Sequence, residues 1–207
     1  MEKSIIEKTN KIIKGRSIYL IGMMASGKSK TGPVLAELLR YKYIDLDKLI
    51  ENIAKKTINE MFQEDGEKAF RELETNCLKE TIKIPSLIVS TGGGIISKPE
   101  NWGVLRQGII IWIDTKQEIV LERLKKDIEN RPLLQGEDLS DLYNQIFQSR
   151  KNLYSQADLR VEVNNEDVKE VAKQIIYGIY KRRKHYVHKE PYPLWWRIEP
   201  GAPGGSP

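Results

Sequence analysis

The sequence predicts an α/β protein in which helices cover both faces of a parallel β-sheet. Short apolar runs alternate with amphipathic stretches of helical period from residue 17 to residue 181, as in chains built from strand–helix–strand units. A glycine-rich loop joins the first apolar run to the helical stretch after it, which is where such sheets bind phosphate. No apolar run approaches the ~20 residues that a membrane-spanning helix needs.

Each predicted element rests on its own local pattern. The predicted strands are Ser17–Ile21, Tyr43–Leu46, Leu87–Val89, Ile109–Ile113 and Leu159–Val163. The predicted helices are residues 1–14, Lys28–Arg40, Lys48–Lys55, a helix capped by Thr57 with Glu60 in a capping box, Glu67–Lys83, Pro99–Arg106, Gln117–Lys126, Leu139–Ser155 and Glu166–Lys181. Residues 128–140 are polar and lack an apolar period, so we expect a mobile loop there.

The chain divides into three predicted parts. Residues 1–14 form a helical extension, residues 15–181 a single domain, and residues 182–207 an irregular tail with five of the nine prolines. The formal charge is +5, but residues 181–207 carry six basic and two acidic side chains. The other 180 residues therefore carry only +1, and we expect no nucleic-acid partner for the domain.

Histidine and cysteine usage excludes several mechanisms. His185 and His188 both lie in the tail, so the domain has no histidine base or histidine metal ligand. Cys77 is the sole cysteine, which excludes an internal disulfide and a cysteine-rich zinc site, and its helical position predicts a buried thiol. The charged N-terminus lacks the apolar stretch of a secretory signal, so we expect a cytoplasmic protein without a membrane partner.

The strongest functional signal is Gly22–Ser29, with the sequence GMMASGKS, which matches the phosphate-binding pattern G-x-x-x-x-G-K-[ST]. Gly22 and Gly27 let the backbone turn and approach phosphates, and the amides from Ser26 onward lie at a helix N-terminus that favours anions. We expect Lys28 to reach the β- and γ-phosphates of ATP and Ser29 to ligate Mg²⁺. A strand before and a helix after argue against a simple turn without a ligand.

Asp45-Leu46-Asp47 lies at the end of the second predicted strand. If the strand continues through them, both carboxylates point to one face at the carboxyl edge, where ligands of open α/β sheets bind. One carboxylate would hold Mg²⁺ through water and the other would accept a substrate hydroxyl proton. In the alternative interpretation, Asp45 caps the helix at Lys48 and Asp47 is an acid of its first turn.

A glycine triplet and three arginines complete the candidate site. Gly92–Gly94 follow the third strand and leave room for a ligand against the main chain, although a flexible connection shows the same pattern. Arg71, Arg131 and Arg150 have the planar guanidinium that suits carboxylates and phosphates, yet each by itself is typical of a solvated surface.

Together these motifs resemble the shikimate kinases over about residues 17–180. The ordered set is Gly22–Ser29, Asp45-Leu46-Asp47, Phe70-Arg71-x-x-Glu74, Gly92–Gly94, Arg131-Pro132-Leu133-Leu134 and Arg150-x-x-Leu153-Tyr154. The resemblance implies a three-layer P-loop NTPase fold related to nucleoside monophosphate kinases, with a five-stranded parallel sheet of order 2-3-1-4-5. It also implies that a monomer transfers the γ-phosphoryl group of ATP to the 3-hydroxyl of shikimate.

The same resemblance implies a role for each site residue. Lys28 and Arg131 stabilise the transferring phosphoryl group, with the Arg131 loop closing as a lid. Ser29 binds Mg²⁺ directly and Asp45 binds it through water. Asp47 binds substrate hydroxyls and acts as base. The implied ATP-binding residues are Gly22, Ala25, Ser26, Gly27, Lys28, Ser29, Lys30, Arg123 and Arg131, with Arg123 stacked on adenine. The implied shikimate-binding residues are Asp47, Arg71, Gly92, Gly93, Gly94 and Arg150. Of these, Arg71 and Arg150 bind the carboxylate.

Three features depart from the family pattern. Ala25 stands where the family usually has glycine, and we expect it to be tolerated only with φ below zero. Lys30 replaces the usual Thr or Ser near the α-phosphate, and the family pattern does not require the tail. The alternatives are a related small-metabolite kinase such as a gluconate kinase, a relative that binds without turnover, and a tail that binds nucleic acid through its basic and aromatic residues.

Overall fold

The computed structural model describes residues 2–126 and 139–183, and five parallel strands form one sheet within them. The strands are β1 (Ile18–Ile21), β2 (Lys42–Asp45), β3 (Leu87–Ser90), β4 (Ile109–Thr115) and β5 (Leu159–Val163). Their order is β2-β3-β1-β4-β5, which confirms the predicted topology. The central strand is β1, whose Ile18 lies beside Ile88 of β3 and Ile109 of β4. The loop after β1 therefore leaves the middle of the sheet's carboxyl edge, the usual place for a ligand.

Helices connect the strands and cover both faces. They are α1 (Glu2–Ile13), α2 (Lys28–Leu39), α3 (Leu46–Ala54), α4 (Ile58–Glu64), α5 (Gly66–Glu80), α6 (Asn101–Leu105), α7 (Gln117–Lys125), α8 (Leu139–Tyr154) and α9 (Val168–Lys181). The predicted capping box at the start of α4 is confirmed: Thr57 accepts from the Glu60 amide, and the Glu60 carboxylate accepts from the Thr57 amide at 2.7 Å.

The core lies in two apolar layers, one on each face of the sheet. One layer joins α1, α2 and α9 through residues such as Leu35 and Ile175, and the other joins α3 to α8 through residues such as Phe70 and Tyr154. The residues of β1 and β3 are all buried, whereas β5 alternates buried and exposed positions as an edge strand does. The pattern of apolar runs was therefore sufficient to predict this layered core.

The expected N-terminal extension is helix α1, and it packs into the fold. Ile13 is fully buried in the layer shared with α2 and α9, and the Thr9 hydroxyl donates to the Ile176 carbonyl at 3.5 Å. Burial of this apolar face stabilises the domain because it removes apolar surface of α1 and of the helices packed against it from water.

Several predicted boundaries shift by one or two residues. Strand β2 ends at Asp45 instead of Leu46, and α3 starts at Leu46 instead of Lys48. Helix α8 begins at Leu139 as predicted, so Leu139 and Ser140 belong to this helix and not to the end of the expected loop. The rest of that loop, and the tail from residue 184 onward, lie outside the described residues.

Candidate active site

The phosphate-binding loop has the predicted strand–loop–helix setting. It leaves β1 at Gly22 (φ 145°) and enters α2 through Gly27 (φ 102°), two backbone conformations that glycine adopts readily. A Cβ at Gly22 would collide with the Ile113 carbonyl oxygen, so a side chain is excluded there. The loop curls around the Lys28 ammonium, which donates to the carbonyls of Gly22 at 2.9 Å and Met23 at 2.7 Å. A buried cation beside a helix N-terminus is suited to an anionic ligand.

Ala25 contradicts the expectation of a negative φ. Its φ is 56°, in the left-handed region, where an L-residue costs about 1–2 kcal/mol relative to its ordinary conformations. The backbone at position 25 therefore has a conformation that suits glycine, although the residue there is alanine. The Ala25 carbonyl accepts a hydrogen bond from Nη1 of Arg123 at 3.0 Å.

Ser29 and Asp45, the predicted Mg²⁺ ligands, are joined through Tyr43. Pro33 lacks an N–H group, so the Ser29 carbonyl four residues earlier has no intrahelical donor. The Tyr43 hydroxyl lies 3.4 Å from that carbonyl and 3.3 Å from Oδ2 of Asp45. Ser29, through its main chain, and Asp45, through its carboxylate, therefore contact the same tyrosine hydroxyl. Lys30, the second departure from the family pattern, is exposed.

Asp45 and Asp47 reach the edge of the sheet differently from the strand prediction. Asp45 ends β2 and caps α3, accepting from the Lys48 amide at 3.3 Å, while Asp47 lies in the first turn of α3. The prediction that a continuing strand aligns the two carboxylates was wrong, and the capping interpretation is confirmed. The helix N-terminus nevertheless keeps both acids at the carboxyl edge.

The environment of Asp47 makes its carboxyl group unusually basic. Burial, followed by the charges of Asp45 and Glu74, raises its pKa to about 6, while Lys28 opposes that shift. At neutral pH the group is ionised, and it is more ready to accept a proton than an exposed aspartate is.

Arg71 is oriented by two acids of its own helix. Its Nη1 donates to Glu74 at 2.8 Å, and its Nε and Nη2 donate to Glu67 at 3.2 Å. Glu74 is 1% exposed, and burial raises its pKa although Arg71 opposes that shift. A Cβ at Gly94 would lie 2.6 Å from Nη2 of Arg71, so the third glycine of the triplet makes room for the guanidinium.

Arg150, on α8, contacts the middle glycine of the same triplet. Its Nη1 donates to the Gly93 carbonyl at 3.3 Å, and the hydroxyl of Tyr154 donates to the same carbonyl at 2.8 Å. A Cβ at Gly93 would lie 3.7 Å from Nη1 of Arg150 and 3.3 Å from the Met24 amide. Gly93 therefore lies between Arg150 and the phosphate-binding loop, with one residue separating them.

The structure brings together most of the predicted site. Lys28, Asp45, Asp47, Arg71, Gly92–Gly94 and Arg150 line the carboxyl edge, and Arg123 reaches the loop from α7. Arg131 lies outside the described residues.

No group of three His, Cys, Asp or Glu side chains within the described residues could hold a metal by itself. A hydroxyl and one carboxylate nevertheless fit Mg²⁺, which keeps several waters and takes substrate phosphates as ligands.

Sequence reasoning assigned no role to four side chains that shape this site. Glu74 and Tyr154 belong to the motifs that contain Arg71 and Arg150. Their spacing from these two arginines was the sequence signal that could have identified them. Ser90 donates to the Lys28 carbonyl at 2.9 Å, and Thr115 donates to the Ser26 carbonyl at 2.7 Å. Both follow apolar runs, and nothing local distinguishes them from ordinary strand ends.

A phosphate-binding loop at the end of the central strand of a 2-3-1-4-5 sheet defines the P-loop nucleotide-binding class of phosphotransferases. A family model described as shikimate kinase matches residues 24–180, and the chain belongs to this family. It is 46% identical over 174 residues to the shikimate kinase of Prochlorococcus marinus strain NATL2A, an alignment that covers 82% of this chain and 88% of that protein.

Solved structures give the same family, and a gluconokinase shares the fold. The shikimate kinase from Acinetobacter baumannii in complex with shikimate is 34% identical with a TM-score of 0.79, covering 84% of this chain and 98% of that one. A gluconokinase from Sinorhizobium meliloti 1021 is 18% identical with a TM-score of 0.56, over 89% of this chain and 98% of that one. The second likeness is one of fold alone. Within the described residues, no helix has the length and apolarity to cross a membrane.

Proposed function

We propose that this chain transfers the γ-phosphoryl group of ATP to the 3-hydroxyl of shikimate. The observation that carries the proposal is the position of Gly93, which stands between the Met24 amide of the phosphate-binding loop and the guanidinium of Arg150. An acid held by Arg150 and Arg71 would present its hydroxyls next to the phosphates. Phosphoryl transfer depends mainly on such positioning and on charge stabilisation.

Each residue then has a defined task. Arg71 and Arg150 bind the carboxylate of the acceptor, and the ionised Asp47 orients the attacking hydroxyl. As the hydroxyl oxygen bonds to the γ-phosphorus and the bond to ADP breaks, the hydroxyl proton passes to the Asp47 carboxylate. Lys28 leaves the loop carbonyls for the β- and γ-phosphates, and Arg131 is proposed to assist it. Ser29, with Asp45 through water, would hold Mg²⁺, which supplies positive charge to offset that of the phosphates.

The test is a coupled assay of ADP release with ATP and Mg²⁺. Shikimate, gluconate and a nucleoside monophosphate are supplied as acceptors in parallel reactions. We expect release that depends on shikimate and stays at the background rate with the other two. A background rate with all three would contradict the proposal and would favour a relative that binds without turnover.

We also propose that residues 15–181 form the catalytic domain and that residues 182–207 are dispensable. A chain that ends at Lys181 keeps all of α9, so its rate of ADP release with shikimate should equal that of the full chain. A large loss of rate would instead place the tail in the working enzyme. The monomeric state and cytoplasmic location stay predictions.

A further inference from the structure

Side chains from outside the phosphate-binding loop hold its carbonyls in place. Thr115, at the end of β4, donates to the Ser26 carbonyl, and Arg123 of α7 donates to the Ala25 carbonyl. The Lys28 ammonium contacts the carbonyls of Gly22 and Met23. Under the proposed function, Lys28 turns away from these carbonyls to the phosphates. The hydrogen bonds from Thr115 and Arg123 then still join the loop to the rest of the fold.

Arg123 is placed on the loop by a firmly anchored helix. Val120 and Leu124 on the same helix are fully buried, and the Lys116 amide before it donates to the Val163 carbonyl at 3.1 Å. Nη1 of Arg123 also lies 3.5 Å from the point that a Cβ at Gly27 would occupy. The guanidinium therefore lies over the turn into α2, and the left-handed Gly27 leaves space for it.

The contact falls on the residue of the loop that most needs support. Ala25 is left-handed, a conformation that alanine leaves readily unless its surroundings hold it. If Ala25 relaxed, the amides that follow it would turn away from the positions in which they form a phosphate cradle. A hydrogen bond from a charged donor to the Ala25 carbonyl opposes that relaxation.

We propose that Arg123 is a positioning residue, which binds the Ala25 carbonyl and so keeps the phosphate-binding loop in its anion-binding conformation. This role is separate from the adenine contact expected from the sequence, because it acts through the loop on any polyphosphate. The inference rests on the proposed function only in requiring that the loop binds a polyphosphate chain.

The test is a double-mutant cycle of Arg123→Met and Ala25→Gly, read by calorimetric binding of inorganic tripolyphosphate and of ADP, both with Mg²⁺. Arg123→Met should weaken tripolyphosphate binding about tenfold. In the Ala25→Gly background the same substitution should weaken it by only about twofold to threefold, because glycine adopts the left-handed conformation without support. Lys125→Met removes a charge from the exposed side of α7 and serves as the charge control.

Three results would overturn the inference. An unchanged tripolyphosphate affinity in Arg123→Met would restrict Arg123 to the adenine end of ADP. An equal loss in both backgrounds would mean a direct contact with phosphate, and an equal loss in Lys125→Met would mean a general effect of charge. Circular dichroism and melting curves establish that each variant is folded. The readout is ligand binding, so the result stands whether or not the chain phosphorylates shikimate.

Discussion

Asp47 and Glu74 come from different helices and place their carboxylates on the same side of Gly92. A Cβ at Gly92 would lie 2.8 Å from Oδ1 of Asp47 and 2.9 Å from Oε1 of Glu74. That Glu74 oxygen is buried and has no hydrogen-bond partner among the described residues. Gly92 has no side chain, so it leaves open the space beside the half-buried Asp47 and the buried Glu74.

Gly92→Ala should abolish turnover with shikimate. The new methyl group would collide with both carboxylates, and Glu74 is held in place by burial and by its ion pair with Arg71. We expect kcat/KM for shikimate to fall by at least about 100-fold, which corresponds to a loss near 3 kcal/mol in transition-state stabilisation.

The matched control for that substitution is Gly103→Ala in α6, where a Cβ would meet nothing within 4 Å. Alanine is favoured over glycine in a helix, so this variant should keep its activity and gain about 0.5–1 kcal/mol of stability. Similar rates for the two variants would show that the space beside Gly92 is not part of the site.

Asp47→Asn should remove turnover while leaving ADP binding intact. Loss of a positioned proton acceptor typically costs about 10²–10⁴-fold in rate. Because the pKa of Asp47 is raised to about 6, kcat/KM of the unmodified enzyme should fall below about pH 6 as the carboxylate becomes protonated. A rate independent of pH from 5 to 8 would contradict the role of base.

The same substitution should stabilise the protein at neutral pH. The folded pKa lies above the ordinary aspartate value of 3.8, so ionised Asp47 destabilises the fold above pH 6. This cost declines as the pH falls through 6 and is small near pH 4, because the folded carboxyl group is then protonated and the unfolded one is about half protonated. We expect Asp47→Asn to raise the free energy of unfolding by about 1–2 kcal/mol at pH 7.5 and to have little effect at pH 4. Equal shifts at both pH values would contradict this explanation.

Glu74→Gln should impair shikimate binding more than ATP binding. Glutamine keeps the shape of the side chain but removes the charge that holds Arg71, so the guanidinium is less firmly directed at the acceptor carboxylate. We expect KM for shikimate to rise about tenfold and KM for ATP to change by less than about twofold. Glu72→Gln, on an exposed position of the same helix, should change neither value. Equal increases for both substrates would point to general distortion of the domain.

Ala25→Gly should be neutral or stabilising, which is unusual for a change from alanine to glycine. Relief of the left-handed alanine is worth about 1–2 kcal/mol, and the greater freedom of glycine in the unfolded chain offsets about 0.5–1 kcal/mol of it. Ala36→Gly, at a buried position within α2, should lower the free energy of unfolding by about 1 kcal/mol or more. Equal losses for both would mean that Ala25 is not strained.

Local patterns predicted the strands, the layers and the phosphate-binding loop, because each depends on runs of neighbouring residues. The strand prediction placed Asp47 at the correct edge for a wrong reason, because the short motif Asp45-Leu46-Asp47 fits both a strand end and the capped start of a helix. The bond from Arg123 to Ala25 joins residues 98 positions apart, and a single sequence carries no signal for it. The burial of Glu74 was equally hidden, because acids three residues from an arginine are common on exposed helices.

Under the proposed function, the chain phosphorylates one hydroxyl of an acid held by Arg71 and Arg150. Phosphorus NMR of the products after incubation with ATP, Mg²⁺ and shikimate tests this, with ADP quantified in the same sample. We predict one shikimate monophosphate, substituted at the 3-hydroxyl, for each ADP formed. ADP accompanied by inorganic phosphate alone, or a phosphate on another hydroxyl, would contradict the account.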